Sequence, residues 1–296
     1  MTKKISKKSL SATGWLPNYH GAWAMISVPV ILGIILSGFK TVHWLLLASW
    51  WIGYFAFFAA SLWLRTHRKA KLFPPVKVYG LALIVFAIGL GISAPYLIWW
   101  VMVYLPLVVI TIWASTHRQD RSLLNNAVTV IAACLTLPVA YDLGINGVCF
   151  SLTGVDGVWG SGWLASTICA TPSHQLIALK VVDWSVVWMI TLLVFGYFMG
   201  AVFYVKTNVR ERRSDIYLWL SVIFHLVFTL MALVMAKQGV VVWAHACLWV
   251  VLSLRSLAIP LYGRKQHWLS TKQIGMGEVM FSILVFITLL NEGAGR

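Results

Sequence analysis

Charge is what this sequence has least of. Only 10% of its 296 residues are Asp, Glu, Lys or Arg, whereas soluble domains carry roughly 25%. A soluble fold would lack its polar surface. A disordered chain is excluded as well, because 60% of the residues are hydrophobic and the mean hydropathy is +0.84. Cysteine is scarce: the four, Cys134, Cys149, Cys169 and Cys247, form no CxxC pair and no Cys/His zinc spacing, so neither a secreted disulfide scaffold nor a zinc site is implied. GxSxG, HExxH and P-loop motifs are absent, as are paired His/Asp rows of the kind that carry metal ions. Neither a metal nor a cofactor is implied. No cleavable signal peptide is read, because the basic start leads into a full-length apolar run.

What is present is a series of apolar runs. Nine are bounded by charge, Pro and Gly, at about 22–39, 41–64, 76–93, 95–115, 123–142, 178–204, 215–236, 239–261 and 274–291. At about 20 residues per span, the expected fold is all-α: a polytopic bundle of about nine transmembrane helices, forming a single integral membrane domain over 1–296. A short basic tail covers 1–16. The long segment 143–177, rich in Gly, Ser and Thr, is read as an extracytoplasmic loop.

The basic residues set the orientation. With the N-terminus inside, 18 of the 23 Lys and Arg fall on one side, in the tail and in the loops after spans two, four, six and eight. Four (Lys40, Lys180, Lys237 and Arg296) fall on the other, and Arg255 lies within a span. The positive-inside rule then places the N-terminus in the cytoplasm and the C-terminus outside, in a bacterial inner membrane. The net charge of +15 and pI near 9.9 would suit nucleic acid, but the charges sit in short clusters between apolar runs. Anionic lipid is the natural partner, and nucleic acid is not.

Candidate site residues follow from this layout. At the entrance to the first span, His20 and Gly21 stand beside Ala22 and Trp23. A Gly there lets backbone or ligand approach closely, and Trp suits the headgroup level; an interfacial anchor is the plainer reading. Arg65, Arg118, Lys206 and Arg210 lie at the basic-side ends of spans two, four and six, with Arg212 close by and Asn125 and Asn126 at the same level. They form either an anion-binding cavity, since Arg pairs bidentately with phosphate, or a plain topology signal.

Arg255 lies about 9 Å inside its span by helical rise. It either snorkels to the interface or faces the bundle, where it needs a partner, and Glu278 is at a matching depth on the next span. His225 and His245 differ in depth by about 7 Å, which sets them apart from a bis-His haem pair. Cys149 and Cys169, across the long loop, are either a disulfide or two unpaired thiols.

The quartet His20-Gly21-Ala22-Trp23, followed by Val28-Pro29, resembles the signature of the YwiC-like family of bacterial membrane proteins. The resemblance extends to the Arg-rich stretch at Arg210-Glu211-Arg212 and to Ile274-Gly275-Met276-Gly277-Glu278. It implies a multi-pass membrane protein and supplies no activity. More distantly, nine helices with polar loops after the even spans resemble the UbiA-type prenyltransferase architecture. That likeness implies two Asp-rich Mg²⁺ motifs, after spans two and six. This chain instead has Arg65-Thr66-His67-Arg68-Lys69-Ala70-Lys71 and Lys206-Thr207-Asn208-Val209-Arg210-Glu211 there, so Mg²⁺-dependent prenyl transfer is not expected.

The leading expectation is an embedded enzyme or binder of an anionic lipid, isoprenoid or quinone-type amphiphile at a basic cytoplasmic cavity. A small-molecule or ion transporter and a non-catalytic assembly factor are the alternatives. His20, Arg118, Arg210, Arg255 and Glu278 are expected to converge there, with Arg255, Glu278 and His20 as the catalytic candidates and His20 able to move a proton near neutral pH.

Overall fold

The computed structural model describes residues 13–17, 20–119, 121–146 and 183–294, without the side chains of His20 and 291–294. Among the described residues there are nine α-helices and no strands: α1 (His20–Ser37), α2 (His43–Arg65), α3 (Phe73–Ser93), α4 (Ile98–Thr116), α5 (Leu123–Asn146), α6 (Trp184–Val205), α7 (Asp215–Lys237), α8 (Trp243–Lys265) and α9 (Thr271–Ala294). Eight are long and apolar enough to cross a membrane, and α1 offers a shorter apolar stretch, Gly21–Ser37. The helices stand where the apolar runs place them. The expected disulfide pair and nearly all of the long loop lie outside the described residues.

Helix ends show where local chemistry overrides the apolar pattern. The first run continues to Phe39, yet α1 stops at Ser37 because Gly38 adopts φ +81°, a left-handed conformation that closes helices. In the other direction, α8 runs through Pro260 to Lys265, four residues past the expected end.

The described chain divides into two compact units. In the first, α2 and α3 pack around aromatic contacts. Tyr79 O–H donates to the Trp15 carbonyl at 2.7 Å, with Phe55 and Tyr79 ring centroids 5.4 Å apart. From Val76 to Ser93, α3 has no buried residue; its exposed Leu81, Ile84, Val85 and Ile88 are an apolar surface suited to lipid. Here α2 and α4 both end on non-glycine residues with positive φ, His67 and Arg68 (57° and 56°) and Arg118 (58°). Arg68 N–H reaches back five residues to the Trp63 carbonyl, and Gln119 N–H to that of Ala114, the long bond of a Schellman cap.

The second unit holds α1, the later part of α5 and α6 to α9. Its core includes Leu32, Leu36, Leu137, Ile190, Leu193, Trp249, Leu252 and Leu289. The α1–α5 crossing is close because Gly33 has no side chain. A Cβ there would lie 2.2 Å from the Leu137 carbonyl oxygen.

Candidate functional site

The second unit buries a pair of opposite charges. Arg255 comes from α8, ten residues before its end, so it lies about 15 Å along the helix from that end. This is deeper than the sequence suggests, because α8 continues to Lys265, past the end of the apolar run at 261. Its side chain does not snorkel: Nη1 lies 2.7 Å from Glu278 Oε1 on α9, with side-chain exposures of 10% and 7%. Neither Oε1 nor the arginine's Nε and Nη2 has a well-aligned hydrogen bond among the described residues. The contact is a charge pair at hydrogen-bond distance, and the arginine's Nε and Nη2 nitrogens are left over.

Two aromatic rings clamp the guanidinium. Its Cζ lies 4.1 Å from the ring centroid of Tyr204 and 4.3 Å from that of Phe281, a cation–π arrangement from both α6 and α9. One turn-pair earlier on α6, Tyr197 O–H lies 2.8 Å from the Glu278 carbonyl oxygen, 3.3 Å from its carboxylate Oε2 and 3.1 Å from Ser282 Oγ. A phenol has one hydrogen to give, so it cannot serve all three. Ser282 O–H itself donates to the Glu278 carbonyl at 2.7 Å.

At its basic end, α6 passes into a π-helical turn, Lys206–Arg210, a feature frequent at functional sites. The turn buries Asn208, whose Nδ2 donates to the Tyr204 carbonyl at 2.8 Å while Oδ1 has no partner among the described residues. Lys206 is buried with its ammonium over the Tyr217 ring. Arg212 donates to the Asn208 carbonyl and stacks over Trp268. Arg210 is exposed. Arg264 closes this rim by donating to Asp215 Oδ1 at 2.5 Å and to the Ser214 carbonyl at 3.1 Å.

The histidines here are held by local bonds. His225 Nδ1 lies 2.7 Å from the Ser221 carbonyl, which only accepts, so the hydrogen is on Nδ1. His245 Nε2 accepts from Trp249 Nε1–H at 3.0 Å and Nδ1–H donates to Thr288 Oγ1 at 2.9 Å, giving a one-way hydrogen-bond chain that fixes its tautomer.

The remaining sequence candidates are placed as follows. In the first unit, Arg118 Nη2 lies against His67 Nε2. Arg65 is half-buried and Asn125 buried. Asn125 N–H donates to Ser122 Oγ, and Asn126 N–H to the Ser122 carbonyl. In the second unit, Gly21 and Ala22 are half-buried and Trp23 is exposed. A Cβ on Gly21 would meet nothing within 4 Å among the described residues. The structure thus brings Arg255 and Glu278 together. Tyr197, Tyr204, Phe281 and Asn208 were not read from the sequence. Tyr197 and Tyr204 stand seven residues apart, on one face of α6, and Glu278, Phe281 and Ser282 follow helical spacing on α9. Among the described residues no three His, Cys, Asp or Glu side chains gather as a metal site would require.

The architecture defines a multi-pass helical membrane protein with a buried, aromatic-clamped ion pair. Residues 16–141 match the family described as YwiC-like protein, in agreement with the resemblance carried by His20 to Trp23. The chain is 26% identical over 212 residues to "Uncharacterized protein YwiC" of Bacillus subtilis, covering 71% of this chain and 74% of that one. It is 25% identical over 284 residues to an "Uncharacterized protein" of Haemophilus influenzae, covering 93% and 97%. No solved structure matches.

Proposed function

We propose that this protein binds an anionic amphiphile (a lipid, isoprenoid or quinone-type molecule) at the basic side of the bilayer, with Arg255 as the headgroup receptor. The observation that carries this reading is the unsatisfied edge of Arg255. Nε and Nη2 lie on the same edge of the guanidinium, and both are buried without a partner among the described residues. Buried donors left unpaired are costly, and this edge is the fork that grips carboxylate or phosphate bidentately. The ring clamp keeps the fork in one orientation at little additional cost in ordering, and preorganisation of this kind favours affinity.

The depth of the site explains why the ligand is an amphiphile. A head reaching Arg255 leaves its tail among helices whose outer faces are apolar, such as Leu226, Leu230 and Leu254. The basic rim of Lys206, Arg210 and Arg212 draws anions toward that end. The positive-inside rule makes it the cytoplasmic side of a bacterial inner membrane, with the N-terminus inside.

The test is lipid mass spectrometry on full-length protein purified from bacterial membranes, as wild type and as Arg255→Leu. The wild type is expected to retain anionic amphiphiles well above their share of the bulk membrane, and the variant to lose that excess. Identical lipid profiles would contradict the proposal.

A further inference from the structure

The charge balance of this site leads further, and the inference rests on the binding reading above. Arg255 and Glu278 together are neutral. An oxyanion arriving on the Nε–Nη2 edge would leave one net negative charge in a buried site, which low-dielectric surroundings penalise heavily. Either the anion is excluded or a proton comes with it.

The groups that face Glu278 decide where that proton goes. From α8 there is Arg255, a guanidinium that stays charged. From α6 come the phenols Tyr197 and Tyr204. On α7, His225 has its Nδ1–H committed to the Ser221 carbonyl. Between Gly21 and Ser37, α1 has no titratable side chain. Among the described residues, Glu278 is the one acidic group in contact with both Arg255 and a hydroxyl network. Apart from Arg255 little holds it as an anion: Oε2 has only a share of one phenol hydrogen at 3.3 Å. A neutral Glu278 would fit the same network with its bonds reversed. Its Oε2–H would donate to Tyr197 Oη, and Tyr197 would donate to Ser282 Oγ or to the Glu278 carbonyl.

We infer that the site takes a phosphate oxyanion together with one proton, the oxyanion on the Nε–Nη2 edge of Arg255 and the proton on the Glu278 carboxylate. The proton is drawn from water. Arg255 exchanges one anionic partner for another, the buried charge stays balanced, and no covalent bond to carbon or phosphorus changes. Binding is therefore tighter at lower pH, and the anion leaves as Glu278 ionises.

Dioctanoyl-phosphatidylglycerol is the appropriate probe, since its phosphodiester does not titrate near neutral pH and any proton taken up belongs to the protein. Calorimetric titration of the full chain in detergent, in two buffers of different ionisation enthalpy, counts that proton without any substitution. Uptake of about one proton per lipid, with affinity falling about tenfold per pH unit where Glu278 exchanges its proton, is the expected result. Glu278→Gln should bind with no proton uptake and no such pH dependence, and Arg255→Lys, which lacks the fork, should bind at least tenfold more weakly.

Dimethyl phosphate, the same group without tails, distinguishes the source. Weak or absent binding identifies a lipid, and equal proton-coupled binding identifies a free phosphate at the same site. Lipid binding without proton uptake overturns the coupling and leaves the amphiphile reading intact. Binding of neither probe, in wild type at any pH from 6 to 8.5, overturns the inference and the amphiphile reading together.

Discussion

The guanidinium of Arg255 lies 4.1 Å over the ring of Tyr204, in the last turn of α6 before the backbone widens into its π-helical turn. That pairing ties the buried Arg255 to the segment that also buries Asn208 and Lys206. It joins α6 and α8, while Phe281 and Glu278 bring in α9.

Removing the carboxylate should therefore unsettle three helices. Glu278→Ala is expected to destabilise by about 3–5 kcal/mol because it leaves a buried charge unpaired. Glu278→Gln, which keeps an acceptor, should cost less. Arg68→Gln, on an exposed residue, should stay within about 0.5 kcal/mol. Thermal unfolding of the purified variants in one detergent ranks them, and a rim substitution as damaging as Glu278→Ala would refute the ranking.

The aromatic clamp has its own energetic signature. Tyr204→Leu and Phe281→Leu should each lower stability by roughly 1–2 kcal/mol, as expected for a desolvated cation–π contact. Together with Arg255→Leu the losses should be less than additive, which a double-mutant cycle measures directly.

Gly33 and Gly21 should respond oppositely to the same change. Gly33→Ala forces α1 away from the Leu137 carbonyl, which is expected to cost more than about 3 kcal/mol because a backbone, not a side chain, must move. Gly21→Ala meets nothing among the described residues and should be neutral or up to about 1 kcal/mol stabilising. Denaturation midpoints of the two variants decide this.

The cap of α4 allows a comparison free of side-chain effects. Arg118→Gly and Arg118→Ala both remove the contact to His67, but only Gly is at ease at φ 58°. Gly should be the more stable of the two by about 1 kcal/mol. Equal stabilities would mean that this backbone position carries no strain.

All nine helices could be read from composition because apolar runs of this length, cut by charge and Pro, admit few other folds. The Arg255–Glu278 meeting was legible for a related reason. A charge in an apolar run must find a partner, and the other candidates at that depth are few. The clamp was not legible, because 14 Phe, 10 Tyr and 17 Trp give the spans no contrast in which Tyr204 or Phe281 would stand out. The π-helical turn has no Pro or Gly to announce it. The caps at His67 and Arg118 use residues that usually avoid positive φ, and so escaped a reading based on glycine. The depth of Arg255 was underestimated because the apolar run ends at 261, ahead of Gly263, Arg264 and Lys265, yet α8 continues through them.

The most direct test of Arg255 as a headgroup receptor is native mass spectrometry of the full-length protein released from an equal mixture of phosphatidylglycerol and phosphatidylcholine. The account predicts that wild type retains at least one phosphatidylglycerol in preference to phosphatidylcholine, and that Arg255→Lys, equal in charge but without the Nε–Nη2 fork, loses that preference. The same preference in both proteins would contradict it.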